Sequence, residues 1–130
     1  MDLLIENKTA VVTGSTAGIG LAIASLLASE GADVVVNGRT EERVSEAVKG
    51  IAATHPKAKV RGVAADLATA AGVEEFVRRI PETDILVNNL GIFEPKPFEE
   101  IPDEDWFPAN VTANCKLLSS RPRRRRSFQL

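Results

Sequence analysis

Short, continuous apolar runs alternate along this chain with longer stretches in which apolar residues recur at helical spacing. Residues 8–13 (KTAVVT) form the first run and end in a glycine-rich turn, which predicts a strand buried on both faces of a parallel sheet. In residues 19–30, Ile19, Ala22, Ile23, Leu26 and Leu27 recur at helical spacing, and Gly31 supplies a stop where a left-handed residue is needed. Residues 33–37 (DVVVN) are a second, β-branched strand. Gly38 and Arg39 then lead to Thr40, an N-cap candidate followed by Glu41 and Glu42, whose charges suit the positive end of a helix. That helix is expected to run to about residue 53, with Val44, Ala47, Val48 and Ile51 inward, before a polar turn at His55 and Pro56. Residues 59–64 read as a third strand, 69–80 as a third helix with Val73, Phe76, Val77 and Ile80 inward, and 85–88 as a fourth strand.

The resulting βαβαβαβ order predicts an α/β fold: a doubly wound parallel sheet with right-handed crossovers and helices on both faces. Beyond residue 91 the chain becomes rich in proline and acid (Pro95, Pro97, Pro102 and Pro108, with Glu99, Glu100, Asp103, Glu104 and Asp105), predicting a surface loop and a short helix. One domain is expected over residues 1–120. Residues 121–130 differ: five of these ten are arginine, and none is acidic. Without those five arginines, 11 basic residues face 18 acidic ones, so an acidic body carries a basic tail that is expected to be disordered. The tail could release counterions from nucleic-acid phosphates, but no aromatic platform or basic groove accompanies it, and a solvated tail is the simpler reading.

No run approaches the roughly 20 apolar residues of a membrane-spanning helix, and Asp2 and Glu6 stand where an export signal would be basic. The lone Cys115 has no partner for an internal disulfide and reads as a small, half-buried side chain. The chain therefore reads as soluble, unexported and cytoplasmic, with no membrane partner.

Chemistry concentrates in Thr13-Gly14-Ser15-Thr16-Ala17-Gly18-Ile19-Gly20, between the first strand and the first helix. Glycines there permit positive φ, let a pyrophosphate approach the backbone, and leave helix N–H groups free to meet it. A tight turn without a ligand would use the same residues, so the glycines alone do not decide. Ser15 and Thr16 could cap the helix or touch phosphate.

In this position TGxxxGxG resembles the signature of the short-chain dehydrogenase/reductase family, and three further matches follow in order. Asp66-Leu67, after the third strand, resembles the place where the family's aspartate contacts adenine. Asn88-Asn89-Leu90-Gly91 resembles its NNAG segment, with Leu90 in place of alanine, and Asn110-Val111 resembles the stretch carrying its active-site asparagine. The resemblance implies a Rossmann-like fold, truncated after about the fourth strand and the following helix. It also implies a nicotinamide dinucleotide held by Gly14, Ser15, Thr16, Gly18, Ile19, Gly20, Arg39, Asp66, Leu67, Asn88, Asn89 and Gly91. At the end of the second strand an acid would bind the ribose 2′-hydroxyl and repel a 2′-phosphate. Asn37-Gly38-Arg39 has no acid and offers a guanidinium, so NADP is expected over NAD.

Family members transfer hydride between nicotinamide and a carbonyl or alcohol carbon, using a tyrosine assisted by a lysine, a serine that orients substrate, and an asparagine in the proton relay. This sequence contains no tyrosine. Ser119 and Ser120 do not match the family's serine, so Asn110 alone has a counterpart, and Pro108 would disturb the helix entering it. Resemblance ends near residue 120, and the arginine run reads as a premature or frame-shifted end. The expected function is an NADP-dependent oxidoreductase whose present chain is inactive by itself. The alternative is a dinucleotide-binding module without chemistry. An uncovered fourth-strand edge would make the chain marginally stable and prone to aggregate. The family is usually homo-oligomeric; substrate and oligomeric state are not legible here.

Overall fold

The computed structural model describes residues 3–80 and 82–90 and the backbone of residues 126–129. Its elements are β1 (Thr9–Val12), α1 (Gly18–Ser29), β2 (Asp33–Gly38), α2 (Glu41–Thr54), β3 (Val60–Ala64), α3 (Ala70–Arg79), β4 (Ile85–Asn88) and β5 (Arg126–Gln129). The strands form one sheet in the order β3-β2-β1-β4-β5, and every pairing is parallel.

Side chains alternate across β1, and both faces are buried. Ala10 and Val12 join Val34, Val36, Ala24, Ala28, Ala47 and Ile51 beneath α1 and α2. Val11 points the other way, with Val35, Val63, Val73, Phe76 and Ile80 beneath α3. This is why the strands read as continuous valine-rich runs rather than as alternating ones. Helix boundaries follow from local chemistry. Gly31, at φ +88°, ends α1 in a Schellman arrangement, with Gly31 N–H donating to Ala28 O at 3.2 Å and Ala32 N–H to Leu27 O at 3.1 Å. Thr40 and Thr69 cap α2 and α3 by accepting from the N–H groups of Arg43 (3.4 Å) and Gly72 (3.0 Å).

The phase of α1 differs from expectation. Its buried residues are Gly20, Ala24 and Ala28, whereas Ile19 and Leu26 are 70% and 61% exposed and Ala22 is exposed too. Because α1 is apolar around most of its circumference, spacing alone could not select a face. Close approach selects it: a Cβ on Gly20 would overlap Gly14 O and Asn89 Nδ2, so only the smallest residues fit against the sheet there. Gly20→Ala is therefore expected to cost about 1–3 kcal/mol through overpacking, read as a lower denaturation midpoint in urea.

The tail also differs. Arg126–Gln129 pair with β4 in the register Ile85↔Arg126 to Asn88↔Gln129, where an irregular tail and an open β4 edge were expected. A bare row of N–H and C=O groups on β4 is a template for strand pairing, and backbone pairing does not depend on the arginine side chains that made this segment look solvated.

Candidate functional site

The C-terminal ends of β1, β2, β3 and β4 converge on the glycine turn. Strand order reverses at β1, between β2 and β4, and in open α/β sheets ligands bind in the crevice at such a switch point. Gly14 and Gly18 adopt φ of +59° and +57°, which side-chain-bearing residues rarely take.

A network of buried polar groups shapes the turn. Asn37, only 1% exposed, accepts from Gly14 N–H through Oδ1 at 3.2 Å and donates through Nδ2 to Val63 O (3.2 Å) and Ala65 O (3.3 Å). Its backbone carbonyl accepts from Ser15 N–H at 2.8 Å, and its N–H donates to Ser15 Oγ at 2.9 Å. Ser15 Oγ in turn donates to Val12 O at 2.7 Å. From the other side, Asn89 N–H donates to Thr13 Oγ1 at 3.0 Å, and Asn89 Nδ2 donates to Thr13 O and Gly14 O at 3.3 and 3.1 Å. The turn is thus tied to four strands before any ligand arrives.

Ser15 is where a sequence expectation fails. It is fully buried and its hydroxyl is spent on Val12 and Asn37, so it neither caps α1 nor faces solvent where a phosphate could meet it. The N-cap of α1 is Ala17, which offers no side-chain cap. The N–H groups of Gly18, Ile19 and Gly20 in the first turn have no intrahelical acceptor. With the positive end of the helix dipole behind them, they are suited to an anion. A Cβ built on Gly18 meets nothing within 4 Å, so space lies open beside these donors.

Next to the turn is a cavity of about 290 Å³, with Gly14, Thr16, Gly38, Arg39, Arg43 and Asp66 on its wall. Gly38 brings β2 close to Thr16, since a Cβ there would overlap the Thr16 methyl group. Asp66 Oδ1 accepts from Ala68 N–H at 3.0 Å, which fixes the carboxylate at the cavity rim. Leu67 and Leu90 also reach the wall, although Leu67 is 2% exposed and belongs mainly to the core under α3. Asn88 is buried, and its Oδ1 has no hydrogen-bond partner among the described residues. A larger hollow, about 590 Å³, lies at the opposite end of the strands beside Asn7, His55 and Lys57, away from the helix N-termini and the glycine turn.

Of the residues expected to hold a cofactor, the structure brings Gly14, Thr16, Gly18, Ile19, Gly20, Arg39, Asp66, Leu67 and Asn89 to one end of the sheet. Ser15 and Asn88 lie beneath them as buried supports. Gly91 and the catalytic candidate Asn110 lie outside the described residues. Arg43 and the bridging role of Asn37 were not anticipated. The signal for Asn37 was present, because a lone amide following three buried valines must find partners. Among the described residues no group of His, Cys, Asp and Glu could hold a metal, and no helix is long and apolar enough to cross a membrane.

Comparisons with known proteins agree with this geometry. The chain is 52% identical over 120 residues to an uncharacterized oxidoreductase, YvaG, of Bacillus subtilis, covering 90% of this chain and 46% of the relative. It is 40% identical over 112 residues to D-beta-hydroxybutyrate dehydrogenase of Cupriavidus necator, covering 79% and 41% of the two chains. The crystal structure of L-sorbose reductase from Gluconobacter frateurii, complexed with NADPH and L-sorbose, superposes with a TM-score of 0.76 at 39% identity, over 90% of this chain and 47% of that one. The chain thus spans about half the length of the relatives it matches. The model of the short chain dehydrogenase family matches residues 8–117, and the protein belongs to that family.

Proposed function

We propose that this chain supplies the dinucleotide-binding portion of an NADP(H)-dependent oxidoreductase that transfers hydride between nicotinamide and a carbonyl or alcohol substrate. The observation that carries the reading is the cavity shared by the glycine turn and Arg39, with no acid at the end of β2. In this reading the free N–H groups of α1 take the pyrophosphate, Asp66 faces the adenine, and Arg39 pairs with the 2′-phosphate. A carboxylate at Gly38 would both repel that phosphate and crowd Thr16. The L-sorbose reductase complex with NADPH supports a phosphorylated cofactor. When bound, the nicotinamide would supply hydride to a carbonyl or accept it from an alcohol; the residues described here bind and orient the dinucleotide.

The sequence contains no tyrosine, so the family's usual proton donor is missing from these 130 residues, and the isolated chain is expected to bind cofactor without turning over substrate. Arg39→Gln tests the cofactor assignment. It is expected to weaken NADPH binding by roughly tenfold, the value of one charge-assisted contact, while NADH binding stays within about twofold. Equal loss for both cofactors, or no loss for either, in a fluorescence titration would contradict the assignment.

A further inference from the structure

Arg39 is not the only guanidinium on the cavity wall. Arg43 lies in the first turn of α2 and lines the same cavity. Its position is set by the cap: Arg43 N–H donates to Thr40 Oγ1 at 3.4 Å, which pins the first turn of α2 directly after Arg39. Both arginines are exposed. The ion pairs among the described residues are Lys59–Asp33, Arg78–Glu75 and Arg79–Glu41, and neither Arg39 nor Arg43 takes part in them. Glu41, beside Thr40, is turned toward Arg79 on α3, so among the described residues Asp66 is the acid that shares the cavity wall with the arginines.

Two cations on one cavity wall beside a helix N-terminus, neither ion-paired among the described residues, repel each other less when an anion lies between them. We infer that Arg43 is a second specificity-determining residue, which closes on the cofactor's 2′-phosphate together with Arg39. The inference rests on the NADP reading and deepens it. A phosphate monoester carries nearly two negative charges and three acceptor oxygens, enough to engage two guanidiniums at once, whereas a ribose 2′-hydroxyl engages neither strongly.

Adenosine 2′,5′-bisphosphate and 5′-AMP test this on the full 130-residue chain by calorimetric titration, because they differ only in the 2′-phosphate and need no nicotinamide pocket. The wild-type chain is expected to prefer the bisphosphate. Arg43→Ala should weaken bisphosphate binding by about tenfold and leave 5′-AMP within about twofold, with Arg43→Lys restoring part of the difference. The bisphosphate affinity should also fall less steeply with added salt in Arg43→Ala than in wild type, since one screened charge has gone. If Arg43→Ala binds the bisphosphate like wild type while Arg39→Gln does not, Arg43 has no part in recognition and the NADP reading stands on Arg39 alone. If wild type binds 5′-AMP as tightly as the bisphosphate, or binds neither, both the inference and the NADP reading fall.

Discussion

Asn37→Leu is expected to destabilise the domain by about 3–5 kcal/mol, because it leaves Gly14 N–H, Val63 O and Ala65 O short of a partner at once. Leucine has asparagine's branching but more bulk, so the loss comes from unpaired polar groups together with some overpacking, and not from a cavity. The three partners sit on β1's turn, β3 and the segment after β3, so the substitution loosens the junction on which the cofactor turn is built. For a domain of this size each kcal/mol moves the melting temperature by roughly 4 °C, which predicts a drop of more than about 10 °C in thermal unfolding. Asn37→Asp separates the two halves of the network. It keeps the acceptor for Gly14 N–H but turns a carboxylate oxygen on two carbonyls, so it should also destabilise. An unchanged melting temperature for the leucine variant would mean that these bonds contribute little to the fold.

Gly18→Asp is expected to abolish cofactor binding, with an affinity loss beyond about 100-fold, while the fold survives. Aspartate tolerates positive φ better than most residues, and the Cβ enters open space, so the structural cost is of order 1 kcal/mol. The carboxylate would lie against the unpaired N–H groups of α1 and occupy the place proposed for pyrophosphate. At about 4 Å and an effective dielectric near 20, repulsion between two unit charges is about 4 kcal/mol, which exceeds the 2.7 kcal/mol or so that a 100-fold loss needs. Near-UV circular dichroism matching wild type together with lost NADPH binding is the predicted pair of results. Retained binding would remove the α1 N-terminus from the site.

The architecture was legible because doubly buried strands leave an unambiguous trace, and because Thr40, Thr69 and Gly31 mark helix ends by chemistry local to the sequence. The glycine turn was equally legible, since positive φ and free helix N–H groups are backbone requirements that glycine spacing reports directly. What was not legible depends on tertiary contact. The face of α1 is selected by Gly20 meeting Gly14 and Asn89, not by a polar outer side, and Ile19 and Leu26 consequently point outward. Ser15 has the composition of a cap or phosphate ligand, yet Asn37, more than twenty positions away, claims its hydroxyl. Arg43 comes to the cavity only because α2 is packed beside the turn, a placement that its own sequence neighbours do not disclose. The strand at Arg126–Gln129 is specified by the edge it covers on β4, which no local pattern at the tail discloses.

The most direct measurement is a side-by-side titration of the purified chain with NADPH and NADH at one ionic strength, following nicotinamide fluorescence. Saturable binding of NADPH, at least about tenfold tighter than NADH, is the result this account predicts. Binding of NADH as tight as NADPH, or no saturable binding of either, would contradict it.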